Sequence, residues 1–123
     1  MHNSNIEIGV KSFEDFRKEV TEDFERLDRN EQPEHSFAYY FASEEDMEKF
    51  LTPQRIHLLR VIKHKHPKSI YLLAKTVNKD FKSVYNNVMA LNQVGLVNLN
   101  EESTGNRKSI HPEVTYDKIV IEI

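Results

Sequence analysis

The chain has 123 residues, 38% of them hydrophobic, and a formal net charge of −3, a size that suits one domain with a modest core. It contains no cysteine, which excludes disulfides and thiolate metal sites, and it has no apolar run of the roughly 18–20 residues a membrane-crossing helix needs. The sequence opens without a basic-then-apolar leader pattern, so the expectation is a cytoplasmic protein that is neither exported nor membrane-bound.

Charge is partitioned steeply along the chain. Residues 1–51 carry 6 Lys/Arg against 14 Asp/Glu, a balance of −8. Residues 52–94 carry 8 Lys/Arg against one acid, Asp80, a balance of +7, and residues 95–123 carry 3 against 5, a balance of −2. A basic block confined to one span is the electrostatic footprint of a surface that meets a polyanion.

In chain order, "IEIGV" alternates apolar and polar residues and predicts a short strand. "SFED" then carries a helix-capping serine with an acid three residues on. Phe13, Phe16, Val20, Phe24 and Leu27 follow at three- and four-residue steps, giving a helix with one apolar stripe. The helix is expected to fade in "DRNEQPEH", which contains Pro33, and "SFAYYF" reads as a second strand. Ser43 opens another capping pattern, "SEED", with Met47, Phe50 and Leu51 behind it.

"LTPQRIHLLRVIKHKHP" predicts a well-delimited helix. Thr52 stands at the cap, Pro53 at the first helical position where its missing N–H costs nothing, and Pro67 marks the end. Ile56, Leu58, Leu59 and Ile62 are expected to face inward. Ser69 caps a shorter helix, "IYLLAKTV", with Ile70, Leu73, Ala74 and Val77 inward. After "NKD", Asp80 caps a third helix whose inward residues are Phe81, Val84, Val88 and Leu91, and Gly95 ends it in the left-handed conformation. Beyond it the pattern changes to period two: "LVNLN" reads as a strand, "EESTGNRKS" as a turn, and "IHPEVTYDKIVIEI" as strand-prone, with Pro112 at an edge or bend.

Three helices, a strand, a basic-tipped turn and a returning strand give the expectation of a winged helix-turn-helix, with residues 69–94 as its helix-turn-helix core. The expected fold class is mainly α with a small β-hairpin (α+β). Residues 1–51 form an N-terminal strand–helix–strand arm for dimerisation, and residues 52–123 the DNA-binding domain.

The last of the three helices raises a chemical question, because two asparagines, a serine and two lysines crowd the side opposite its apolar stripe. Asn and Ser lose up to about 0.7 kcal/mol each relative to alanine in a helix, whereas one two-pronged base contact discriminates by roughly 1–3 kcal/mol. Recognition therefore outweighs the local penalty. Lys82, Ser83 and Asn86, with Tyr85 and Asn87 beside them, become candidates for reading the major groove of double-stranded DNA. Lys79 and Lys82 sit at the helix entrance, where phosphates meet free backbone N–H groups, and Ser69, the cap of the preceding helix, is a further DNA-binding candidate. Arg107 and Lys108 suit the flanking backbone or minor groove from a wing spanning 100–110, and Lys63, Lys65, Lys68 and Lys75 enlarge the basic area.

The span "LTPQRIHLLRVIKHKHPKSIYLLAKTVNKDFKSVYNNVMALNQVGLVNL" resembles the core of small prokaryotic winged-helix transcriptional regulators of the broad MarR/ArsR-like kind, some of them antitoxin-like. Thr52, Pro53, Leu58, Leu59, Ser69, Leu73, Ala74, Asp80, Phe81, Lys82, Val84, Val88, Leu91, Gly95 and Leu96 carry the resemblance. A terminal strand like "YDKIVIEI" and a leading strand–helix arm extend it over nearly the whole chain. The resemblance implies the fold and a DNA-binding regulatory role. It implies no particular operator, since relatives often have Arg or His where this chain has Tyr85, Asn86 and Asn87.

Other chemistries find less support. His64 and His66 stand one residue apart without a carboxylate at metal-ligand spacing, so no metal or other cofactor is expected. No Gly-rich phosphate loop or nucleophile elbow is present, so no enzyme is expected. The alternative function is a winged-helix protein-interaction module, an antitoxin or complex subunit, with a protein partner in place of DNA. Dimerisation through residues 1–51 would bring two reading helices to sites about 34–36 Å apart on one face of a duplex.

Overall fold

The computed structural model describes residues 5–31 and 38–122. Pro33, in the stretch expected to end the first helix, and Ser36 and Phe37 of the expected second strand lie outside the described residues. The protein is a mixed α/β fold that divides into two compact units, Met1–Phe50 with Tyr116–Ile123, and Leu51–Thr115.

The first unit holds β1 (Asn5–Val10), α1 (Phe13–Asp28), β2 (Ala38–Phe41), α2 (Glu44–Phe50) and the last strand, Lys118–Glu122. Its sheet is three-stranded and parallel throughout, with β1 central between β2 and that last strand. Parallel neighbours require a crossover connection, and α1 lies on the one joining β1 to β2. Ile8, fully buried, sits opposite Tyr39 on one side and Ile121 on the other. The Lys11 ammonium pairs with Glu19, lies 3.5 Å from Glu122 and stands 4.0 Å over the Tyr40 ring. Desolvation pulls its pKa down, but the hydrogen bonds and charges of Glu19 and Tyr40 outweigh it and hold Lys11 above the ordinary lysine range. Ser12 caps α1, its Oγ accepting from the Asp15 N–H at 3.2 Å.

The second unit holds α3 (Pro53–Lys65), α4 (Ile70–Val77), α5 (Phe81–Gln93), β3 (Asn98–Thr104) and β4 (Arg107–Glu113). The strand of residues 118–122, fifth in the chain, is β5. Each helix starts at the expected cap: the Thr52, Ser69 and Asp80 side chains accept from the Arg55, Leu72 and Ser83 N–H groups at 3.1–3.2 Å. The core is Leu58, Leu59 and Ile62 of α3, Ile70, Leu73 and Ala74 of α4, and Val84, Val88 and Leu91 of α5, with Leu96, Val97 and Pro112 also buried. At the end of α5, the Gly95 N–H bonds the Asn92 carbonyl and the Leu96 N–H the Leu91 carbonyl, with Gly95 at φ +82. This pair of bonds is the Schellman ending, which needs a left-handed residue.

Several expectations are corrected. Ile56 and Phe81, assigned inward by periodicity, are 44% and 46% exposed, because each stands in the first turn of its helix, outside the run of buried residues. Val77 is only half-buried. The hairpin is longer than the "LVNLN" strand and "EESTGNRKS" turn suggest. β3 runs on to Thr104 and β4 resumes at Arg107, leaving Gly105 and Asn106 as a two-residue turn. Gly105 has φ +64 in the first central position, as a type II′ turn requires. Pro112, by contrast, stands as expected in an edge strand, since its sheet has only two strands; it is buried and lies opposite Leu99. "YDKIVIEI" does not extend that hairpin: β5 pairs with β1, so Tyr116–Ile123 belong to the first unit. The small hairpin is accordingly one of two sheets. In α1 no residue is buried, and Phe13, Phe16, Phe24 and Leu27 of its apolar stripe are exposed.

Candidate nucleic-acid interface

Helices α4 and α5 are joined by a three-residue turn, Asn78–Asp80, whose geometry follows from its residues. Asn78 takes the left-handed conformation at φ 54, ψ 50, a state that asparagine reaches more readily than most residues. Its N–H bonds the Lys75 carbonyl, and the Lys79 N–H bonds the Ala74 carbonyl at 3.0 Å. Asp80 then turns its carboxylate inward to cap α5. The single acid of residues 52–94 is thereby committed to a backbone N–H, and the turn presents Lys79 outward.

With Val84, Val88 and Leu91 sealed in the core, helical geometry fixes the opposite side of α5. Lys82 and Ser83 are exposed there, four and three residues before the exposed Asn86 on the same side. This face offers an ammonium, a hydroxyl and an amide, hence donors and acceptors without a carboxylate. Such a set suits anionic or hydrogen-bonding partners.

The remaining candidates separate into groups. Lys79 is exposed in the turn, and Arg107 and Lys108 are exposed where β4 leaves the hairpin tip. Ser69 is half-buried and its Oγ is engaged in capping α4. Asn87 is also half-buried, and its Oδ1 accepts from the Arg55 Nε–H of α3 at 3.0 Å. Asn87 thus ties α5 to α3 and does not join the exposed face. Tyr85 is half-buried, with its ring 5.8 Å from that of Phe81.

The hairpin adds no net positive charge, since Glu101, Glu102 and Glu113 outnumber Arg107 and Lys108. Glu101 and Glu102 are exposed on β3, and Ser103 pairs with Lys108 and Thr104 with Arg107. Glu102 and Glu113 lie 4.0 and 3.9 Å from His111 Nδ1. The basic character of the unit therefore comes from its helices, with Arg107 and Lys108 as a local contribution near the turn.

Periodicity alone overlooked an aromatic cluster beside this face. Tyr71 on α4 is 56% exposed, its ring centroid 6.5 Å from Phe81. The Lys75 ammonium stands 4.9 Å from the Tyr71 ring centroid. Placing Phe81 in the core hid this cluster, although an aromatic next to a cap, in "KDFKS", could have signalled it. Among the described residues, no three His, Cys, Asp or Glu side chains converge to hold a metal, and no helix is long and apolar enough to cross a membrane.

The fold and site together define a mixed α/β protein whose three-helix-and-hairpin unit carries a basic, amide-bearing outer face. The chain belongs to the HVO_A0114 family, whose model matches residues 50–121. No curated protein shows significant similarity to it.

Proposed function

We propose that this protein is a cytoplasmic, sequence-specific DNA-binding transcriptional regulator of winged helix-turn-helix type, with α5 inserted in the major groove. The observation that carries this reading is the exposed side of α5, where Lys82, Ser83 and Asn86 stand free of the core within a span whose charge balance is +7. Asn pairs two-pronged with adenine, Ser contacts several base edges, and lysines at the helix start meet phosphates. The Gly105–Asn106 turn carries Arg107 and Lys108 toward the flanking backbone or minor groove. Selection of bound duplexes from a random pool tests the reading. Enrichment of a discrete, two-fold symmetric motif supports it, and a pool that stays random under binding conditions refutes sequence recognition.

Regulation as a homodimer is part of the proposal. Phe13, Phe24 and Leu27 of α1 are 77%, 64% and 51% exposed, an apolar stripe that a second copy would cover. The acidic balance of residues 1–51 favours holding that arm away from phosphates. The same stripe favours the second reading, a winged-helix protein-interaction module such as an antitoxin or complex subunit. Competition with unlabelled duplex separates the two, because that module would not retard plain duplex at micromolar protein.

A further inference from the structure

Tyr71, Phe81 and Tyr85 are three neighbouring rings at the N-terminal ends of α4 and α5, with centroids 6.5 and 5.8 Å apart. Two of them are about half exposed, an unfavourable disposition for rings with no partner. They wall an open depression of about 240 Å³ whose other side is formed by Ser69 and, from β4, Lys108 and Ile110. Drug-sized ligands occupy sites of about 300–1,000 Å³ and have most of their surface buried there. This depression is too small and too open for such an effector, but it can seat one planar ring.

Charge selects the kind of ring. Lys75 lies against Tyr71, Lys108 borders the depression, and Lys79 and Lys82 flank Phe81 in the chain. Asp80, the nearest acid in sequence, is occupied with the Ser83 N–H at 3.2 Å, and Glu102, opposite Ser109, has His111 4.0 Å away. Aromatic rings framed by ammonium groups are the chemistry that holds unstacked nucleobases, the rings stacking on the base and the cations meeting its phosphates. A paired base inside a duplex has both faces covered and cannot enter such a site.

We infer that the depression between α4, α5 and β4 binds a single unpaired nucleobase, so that the protein prefers DNA in which an unpaired base adjoins duplex. This rests on the DNA-binding reading above and specifies the DNA structure that the same face favours. The unpaired base stacks on Phe81, with the Tyr71 ring, inclined 51° to that of Phe81, closing one side of the seat, and the neighbouring duplex lies along the exposed side of α5.

Fluorescence anisotropy on three labelled DNAs tests it: a fully paired duplex, the same duplex with one extra central base, and the duplex with a short single-stranded overhang. The expected result is binding about 10-fold tighter to an unpaired-base DNA than to the paired duplex, the magnitude of about one stacked base. A bulge-only preference identifies an extruded base, and an overhang-only preference a strand end. Phe81→Ala and Tyr71→Leu should each abolish the preference and leave paired-duplex affinity unchanged, while Phe81→Trp retains it. With 2-aminopurine as the extra base, the wild-type protein should quench its fluorescence and Phe81→Ala should not, a signature that a merely structural role would not move. Equal affinity for all three DNAs overturns this inference alone, as does a preference indifferent to Phe81 and Tyr71. Absence of binding to every DNA overturns the DNA-binding reading with it.

Discussion

Lys82→Ala gives the interface a quantitative test. Five exposed cations, Lys75, Lys79, Lys82, Arg107 and Lys108, lie in or beside the α4–α5 turn, the exposed side of α5 and the hairpin tip. If each neutralises one phosphate, the slope of log affinity against log salt is about −4.5, since each contact contributes about −0.9. Affinity then falls about 500-fold between about 50 and about 200 mM salt, and removing one contact reduces the fall to about 150-fold. The assay is anisotropy of a labelled duplex across that salt range for the wild type and Lys82→Ala. Lys82 is exposed in the first turn of α5, so its truncation leaves the core intact and the slope reports phosphate contact. A slope unchanged in the variant refutes the assignment of Lys82, and a wild-type slope near zero refutes the electrostatic account as a whole.

The other predictions address specificity, assembly and stability. Asn86→Ala should cost about 1–3 kcal/mol on a selected site and far less on random DNA, read by competition binding; equal losses on both would remove Asn86 from base reading. Light scattering should give twice the single-chain mass of 14.5 kDa, and Phe24→Asp, which puts a charge on the exposed α1 stripe, should return it to one; a wild-type monomer refutes the dimer. In urea titrations Leu91→Ala, at a fully buried position, should cost about 2–5 kcal/mol, against about 1 kcal/mol for Asp80→Ala, which loses only the cap of α5. Gly105→Ala meets no atom within 4 Å, so any cost, on the order of 1 kcal/mol, comes from the left-handed backbone alone.

What was legible in the sequence was local. Thr52, Ser69 and Asp80 cap their helices because a short side chain at that position reaches an N–H three residues on, and such spacing is written in the sequence. Gly95 and the apolar repeat of Val84, Val88 and Leu91 were equally readable. The errors arose where local pattern and tertiary context diverge. Ile56 and Phe81 satisfy the helical period, yet each begins its helix outside the buried run. "EESTGNRKS" has polar residues throughout and so lacks the alternation that marks a half-buried strand, although backbone pairing carries the hairpin through it. The pairing of β5 with β1 joins segments more than a hundred residues apart, and neither segment encodes the identity of its neighbour.

Among the candidates, Lys82, Ser83 and Asn86 were read from the requirement that residues opposite an apolar stripe face outward, Lys79 from its place at the helix entrance, and Arg107 and Lys108 from the basic hairpin tip; all six are exposed. Asn87 shares that helix, but its register turns it toward α3, where Arg55 takes its carbonyl oxygen. Tyr71 could not be found from its own helix, because the ring it meets, that of Phe81, belongs to α5.

The central claim is that the exposed side of α5 contacts duplex DNA, and amide chemical-shift mapping during titration with a selected duplex tests it most directly. The account predicts the largest shifts at Lys79 to Asn86 and around Gly105 to Lys108, with α1 unaffected. Saturable binding whose shifts fall on α1 and leave Lys82, Ser83 and Asn86 unmoved would contradict it.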